Sequence, residues 1–132
     1  MPLHATNNND GQLTGQTGVH ARFETALFER YQTKLTIRPA AIAPITNPRD
    51  AAFEVLLASH QLVPRLLQAD REAAGGKQIY DDAYFDRFFA NARPLLEQQI
   101  SASISATVAL ITGAWEAAGR PALRPRATQR AR

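Results

Sequence analysis

Two histidines and one glutamate near the start of the chain are the residues whose types and spacing could do chemistry. His20 and Glu24 are four residues apart, so on a helix their side chains would lie over one part of its surface. Imidazole and carboxylate are both good zinc ligands, and two ligands one turn apart can share one ion. His4, in a segment that could fold back over the helix start, would be the third ligand. A catalytic zinc uses three protein ligands and leaves a position for water or phosphate.

Other features of the sequence narrow this interpretation. A histidine and a glutamate one helical turn apart also commonly form a plain surface hydrogen bond, so the pair alone is weak evidence. The remaining histidine, His60, lies inside an apolar helical pattern, and we interpret it as structural or solvent-facing. The chain has no cysteine, which excludes disulfides and thiolate sites and leaves His, Asp, Glu or backbone oxygen to hold any metal.

The composition predicts one globular domain with a basic tail. The chain has 132 residues, of which 45% are hydrophobic and 20% are charged, as in ordinary folded domains. Residues 119–132 contain five arginines and no acid, which leaves ten basic and twelve acidic residues, a formal charge of −2, for the rest. We therefore divide the chain into a helical domain, 1–118, and a tail, 119–132, that we expect to be disordered. Such a tail either contacts phosphates through counterion release or is simply a solvated terminus.

Apolar periodicity predicts an all-α bundle of three to four helices. The first helix spans about 18–34, and its apolar residues recur at spacings of three and four. The second helix begins at Pro48, with Asn47 as its N-cap. We expect it to be kinked at Pro64 and to end at Gly75-Gly76. A third helical region starts near residue 80, is divided by Pro94 and ends before Gly119.

The segment 98–115 has no charged residue, which raises the question of a membrane span. Five hydroxyl residues interrupt it, so we interpret it as a buried core helix that includes Trp115, and we expect no transmembrane segment. The N-terminus has no basic start followed by an apolar run, so no signal peptide is predicted.

Three motifs in this order are similar to a known family. Pro2-Leu3-His4, an Asn/Gly-rich loop and Gly18-Val19-His20-x-x-x-Glu24 resemble the late metal-ligand motifs of the zinc-dependent phospholipase C and S-one/P-one type nuclease superfamily. Sixteen residues separate the two histidines, close to the family's spacing of about fifteen. Residues 114–121 also look like the closing helix of bacterial members, so the resemblance covers nearly the whole chain up to the tail.

The resemblance implies a hydrolase that acts on phosphate ester bonds of nucleic acid or phospholipid. His4, His20 and Glu24 would hold one zinc of a three-metal cluster, and Asn9 and Asp10 would lie beside the substrate phosphate. Members are exported enzymes, which implies a secreted or periplasmic location.

The sequence also departs from the family pattern. The amino-terminal tryptophan and the His-x-x-x-Asp helix that supply further ligands are not in this sequence, so we interpret the chain as the C-terminal part of such an enzyme. We expect weak zinc binding, little or no turnover, and self-association through an apolar face of the first helix that the missing part would cover. The alternative hypothesis is a non-enzymatic helical binding or structural domain whose basic tail contacts nucleic acid.

Overall fold

The computed structural model describes residues 2–5 and 14–122, and most of these residues are helical. A 3₁₀ turn, Pro2–Ala5, comes first. Helix α1 covers 19–34 in four consecutive stretches, which are Val19–Ala21, the π-helical Arg22–Leu27, Phe28–Tyr31 and the 3₁₀ Gln32–Lys34. Helices α2, α3 and α4 are Pro48–His60, Val63–Ala74 and Asp82–Ala117. The described residues contain no β-strand. The predicted all-α class is confirmed.

Local signals fix most helix ends as expected. The Asn47 side chain accepts a hydrogen bond from the Asp50 backbone N–H at 3.3 Å, with Pro48 next to it in the first turn of α2. Asp81 caps α4 in the same way, accepting from the Tyr84 backbone N–H at 2.8 Å. Gly75, with φ 57°, ends α3 in the left-handed conformation.

The two prolines differ from the sequence prediction. Pro64 does not kink one helix: α2 ends at His60, and Pro64 lies in the first turn of a new helix, where its missing N–H costs nothing. Pro94 lies inside α4, which continues from Asp82 to Ala117 without a break. Its neighbours Ala92, Leu95 and Leu96 are buried, and their packing outweighs the local cost of about 3 kcal/mol for an internal proline.

The core lies where α1 and α3 pack against the N-terminal half of α4. Phe23 meets Phe88 with ring centroids 6.3 Å apart, and Tyr31 stacks on Phe89 at 4.2 Å. The apolar face of α1 is therefore buried, and the expectation that this helix would expose it is wrong. Leu3 from the 3₁₀ turn is also fully buried in this core, which anchors the segment that contains His4.

Large apolar side chains are instead exposed on α2 and on the C-terminal half of α4, so the prediction of a buried core helix at 98–115 is wrong. The most apolar 18-residue window of α4 has a mean hydropathy of 1.2, and only 17% of it is buried. By length and composition this helix could cross a membrane. The absence of a transmembrane segment stays a prediction.

One face of this half of α4 is covered by the extended segment that joins α1 to α2. The Thr36 N–H donates to Glu97 Oε1 at 2.7 Å, and the Ile45 N–H donates to the Ala109 carbonyl at 3.0 Å. Two serines of α4 also bond to this segment: Ser101 Oγ accepts from the Arg38 N–H, and Ser105 Oγ donates to the Ala40 carbonyl. The contacted positions of α4 recur every four residues and so form one stripe of the helix.

Candidate metal centre

The three predicted ligands meet at one point of the structure. His4 Nε2 lies 2.9 Å from His20 Nε2 and 3.0 Å from Glu24 Oε2. His20 Nε2 lies 3.1 Å from the same Glu24 oxygen. The 3₁₀ turn thus brings the first histidine onto the helix surface that displays the other two side chains, and the predicted constellation is present.

Hydrogen bonds alone cannot account for this triangle. A neutral imidazole has one N–H, and an ionised carboxylate only accepts. If both Nε2 atoms carry protons, the His4–His20 contact sets two N–H groups against each other. If only one Nε2 carries a proton, the lone pair of the other Nε2 faces the lone pairs of the ionised Glu24 oxygen, and this contact is repulsive. With Glu24 ionised, every placement of the imidazole protons therefore leaves at least one of the three contacts unfavourable, whereas one cation would satisfy all three.

The donor set and its dimensions fit a metal ion, and zinc is one that they could hold. Zinc binds imidazole nitrogen and carboxylate oxygen at about 2.0–2.1 Å, so tetrahedral ligand atoms lie about 3.3 Å apart. The separations of 2.9–3.1 Å require a shift of only a few tenths of an ångström. The second oxygen, Glu24 Oε1, is buried and has no hydrogen-bond partner among the described residues. Buried polar atoms normally have a partner, and a bound metal ion would supply one.

The site is open on one side. The exposed fraction of the side chain is 58% for His4, 31% for His20 and 13% for Glu24. Beside them is a shallow hollow of about 390 Å³ lined by Gly18, His20, Ala21 and Thr25. A metal ion held by these three side chains would keep room for a further ligand such as water.

The backbone that presents the ligands is unusual in two places. Glu24 lies in the π-helical stretch of α1, and single π turns inserted in a helix are frequent at functional sites. Gly18, with φ 70°, precedes the first turn, and its carbonyl accepts from the Arg22 N–H at 3.1 Å. A side chain at Gly18 would be strained and would bring its Cβ to 3.1 Å from Arg22 Nη1.

A buried ionic network holds this stretch against α3 and α4. Arg22 Nη2 donates to Asp70 Oδ1 at 2.8 Å, and Tyr84 donates its hydroxyl to the same oxygen at 2.5 Å. Gln16 Nε2 donates to the other oxygen, Asp70 Oδ2, at 2.7 Å. Arg22 also donates to the Thr17 carbonyl at 2.6 Å, which fixes the turn just before His20.

This network raises the pKa values of both Arg22 and Tyr84. Burial alone would lower the pKa of Arg22, but the hydrogen bond and charge of Asp70 outweigh it, and the net shift is upward. Burial and the bond to Asp70 raise the pKa of Tyr84. The guanidinium also lies 3.8 Å from the centre of the Tyr80 ring, a favourable cation–π distance. Arg22 and Tyr84 thus stay protonated across the neutral range.

Sequence reasoning missed Arg22, Asp70 and Tyr84 as positioning residues. The available signal was Asp70, which continues the apolar stripe of α3 three residues after Leu67. A carboxylate on such a stripe must be paired when it is buried. Its partner lies 48 residues away in sequence, a distance that no local pattern bridges.

The other predicted site residues have different outcomes. His60 is exposed at the end of α2 and is not part of the cluster of His4, His20 and Glu24, as expected. Asn9 and Asp10, the predicted phosphate-binding residues, lie outside the described residues, as does most of the tail, 123–132. Trp115, predicted to be core, is 37% exposed at the surface of α4, and that prediction is wrong.

The comparison with known proteins adds no family. The chain matches no protein-family model, no curated protein and no solved structure.

Proposed function

We propose that His4, His20 and Glu24 bind one zinc ion, and that the chain is the C-terminal part of a zinc-dependent phosphodiesterase acting on nucleic acid or phospholipid. The observation behind this proposal is the triangle of Nε2, Nε2 and Oε2 atoms, all within 3.1 Å of one another. The order and spacing of these three residues resemble the late ligand motifs of the zinc-dependent phospholipase C and S-one/P-one type nuclease superfamily. That resemblance supports a phosphate ester as the substrate. That resemblance also implies an exported protein.

Each side chain at this site has its own role in the proposed function. Bound zinc would polarise a phosphoryl oxygen and make its water acidic. His4 and His20 supply neutral donors, Glu24 supplies one negative charge, and Arg22 and Asp70 keep the ligand-bearing turn in place. Among the described residues no second His, Asp and Glu cluster of this kind occurs. A multi-metal reaction would need further ligands, so we expect little or no turnover from this chain alone.

Metal binding is tested by titrating the metal-free chain with zinc in a calorimeter. We expect one zinc per chain, with X-ray absorption showing only nitrogen and oxygen ligands at about 2.0–2.1 Å. His20→Ala and Glu24→Gln should each lose at least tenfold in affinity. His60→Ala is the matched control, because His60 is exposed and is not part of the three-residue cluster, and should bind like the parent. Equal binding by His20→Ala, or no binding by the parent, would contradict the site.

The reaction is tested with single-stranded DNA and with phosphatidylcholine, each with added zinc. Weak hydrolysis that His20→Ala abolishes and His60→Ala leaves unchanged would support the proposal and identify the substrate class. Robust turnover would instead contradict the expected need for further ligands. DNA binding that weakens with salt and ignores zinc would favour the non-enzymatic alternative.

A further inference from the structure

We infer that the exposed apolar face at the C-terminal end of α4 docks on the surface of an anionic lipid bilayer. We call this face the lipid-docking face and define it by Ile104, Val108, Ile111 and Trp115. It uses no residue of the metal centre and goes beyond the proposed function.

The spacing of these four residues places them on one side of the helix. Intervals of four, three and four residues keep side chains in register along a helix. Their exposed fractions are 41% for Ile104, 59% for Val108, 65% for Ile111 and 37% for Trp115. This is more large apolar surface than single scattered residues would give, and contiguous patches of this kind mark interaction sites.

The other side of the same helix is already used. The extended segment 36–45 lies along the stripe that includes Ser105, Ala109 and Gly113, all buried. The lipid-docking face occupies different positions of the helix, and no charged residue occurs between Gln98 and Trp115. A charge-free, open face on a helix otherwise fixed to the protein suits shallow insertion among lipid headgroups.

Charge complementarity selects the lipid as the occupant. After Glu116 the chain contains five arginines and no acidic residue. The first of them, Arg120, has its guanidinium 5.8 Å from the Trp115 ring and is paired with Glu116 at 2.6 Å, so the net positive charge comes from the four arginines that follow in the sequence. Trp115 Nε1 donates to the Pro121 carbonyl at 3.0 Å, which holds the start of the tail beside the face. Tryptophan and arginine next to an apolar helical face are the composition of interfacial membrane helices.

A second copy of the chain is the less favoured occupant. Parallel pairing of two such faces would place both arginine-rich ends together and set like charges against each other. The remaining tail, 123–132, has Leu123 as its only large apolar residue, so it offers little with which to cover the face itself. An anionic bilayer complements both the apolar side chains and the arginines.

The intrinsic fluorescence of Trp115 tests the proposal, because Trp115 is the only tryptophan in the chain. The full chain is mixed with vesicles of phosphatidylcholine alone or with added phosphatidylglycerol. We expect a blue shift and quenching by brominated acyl chains only with the anionic vesicles, reversed by high salt and unchanged by a metal chelator. The chelator result separates this surface from the metal centre.

Two variants give the matched comparison. Ile111→Asp should lower partitioning into anionic vesicles by about tenfold or more. Ile79→Asp adds the same charge at an equally exposed residue, 60% against 65%, just before the start of α4, on the order of 40 Å away along that helix. It should bind like the parent, and both variants should keep the parent's far-ultraviolet circular dichroism.

Three results would overturn the proposal. The first is a Trp115 spectrum that no vesicle changes, and the second is equal binding of Ile111→Asp and the parent. The third is a blue shift that grows with protein concentration in the absence of lipid, together with a larger sedimenting mass. That last result would assign the face to a second copy.

Discussion

Arg22 and Asp70 form an ion pair, 2.8 Å between Nη2 and Oδ1, whose side chains are only 11% and 3% exposed. Arg22 lies midway between His20 and Glu24, so the pair fixes the position of both ligands relative to the core. Tyr84 adds a third member by donating to the same oxygen. The candidate metal centre is exposed at its surface, but the network that supports it is buried.

Removing the charge of Asp70 should therefore damage both stability and metal binding. Asp70→Asn leaves Arg22 buried without a counter-ion, and breaking a buried pair in this way costs about 3–5 kcal/mol. Urea unfolding should show this loss, and zinc affinity should fall in parallel because the ligand-bearing turn loosens.

Asp82→Asn is the control for this change. Asp82 pairs with Arg30 at 2.7 Å, but its side chain is 89% exposed, and such surface pairs contribute about 0–1 kcal/mol. Its unfolding free energy and its zinc affinity should match those of the parent. A loss in Asp70→Asn no larger than that in Asp82→Asn would contradict the supporting role of the network.

Gly18 should resist substitution more strongly than a glycine with the same backbone conformation elsewhere. Gly18→Ala forces an L-residue to φ near 70°, which costs about 1–2 kcal/mol, and places a Cβ against Arg22 Nη1. Gly76→Ala should lose stability only through backbone strain, since φ at Gly76 is 77° and no atom lies within 4 Å of the new Cβ. Thermal unfolding should rank Gly18→Ala below Gly76→Ala, and only the former should weaken zinc binding. Equal effects would show that the contact with Arg22 is unimportant.

The sequence predicted that His4, His20 and Glu24 lie together, and the structure has them together. Helical spacing alone brings His20 and Glu24 together, and the loop between the two histidines is long enough to return His4 to them. The support could not be predicted, since the partner of Arg22 comes from α3, far along the chain. Asn47, Pro48 and Gly75 marked helix ends correctly because caps depend on neighbouring residues only.

Burial was harder to predict than helix position. The pattern around Pro94 indicated a break, but Leu95 and Leu96 pack into the core and keep α4 continuous. The charge-free segment 98–115 indicated a core helix, yet apolar composition does not reveal what covers a surface. In the structure an extended segment covers one stripe of it and leaves Val108 and Ile111 exposed.

Stability should decline at high pH through Tyr31. Burial and the hydrogen bond that its hydroxyl donates to Asp86 at 2.7 Å raise the pKa of Tyr31 from 10.0 to about 12. The folded state therefore keeps a proton that the unfolded state loses above pH 10. This contribution is complete below pH 10 and disappears as the pH rises towards 12.

Tyr31→Phe should make the alkaline decline shallower. Urea unfolding at a series of pH values gives the slope, and tyrosinate absorbance gives the ionisation directly. Tyr84 shifts in the same direction, so the variant retains part of the decline. A slope equal to that of the parent would show that Tyr31 ionises alike in the folded and unfolded states.

Gly113 offers a test in which two physical effects have opposite signs. Glycine inside a helix costs about 0.5–1 kcal/mol relative to alanine, so propensity alone predicts that Gly113→Ala is stabilising. In the structure an added Cβ would overlap the backbone carbonyl of Ile45, which cannot move without detaching the segment 36–45 from α4. We expect a net loss of about 1–3 kcal/mol, as for overpacked sites, and faster hydrogen exchange at the Ile45 amide. Ala114→Gly, at an exposed neighbour, should lose stability by propensity but leave that amide protected. A more stable Gly113→Ala protein with unchanged exchange at Ile45 would show that the segment does not lie against this stripe of the helix.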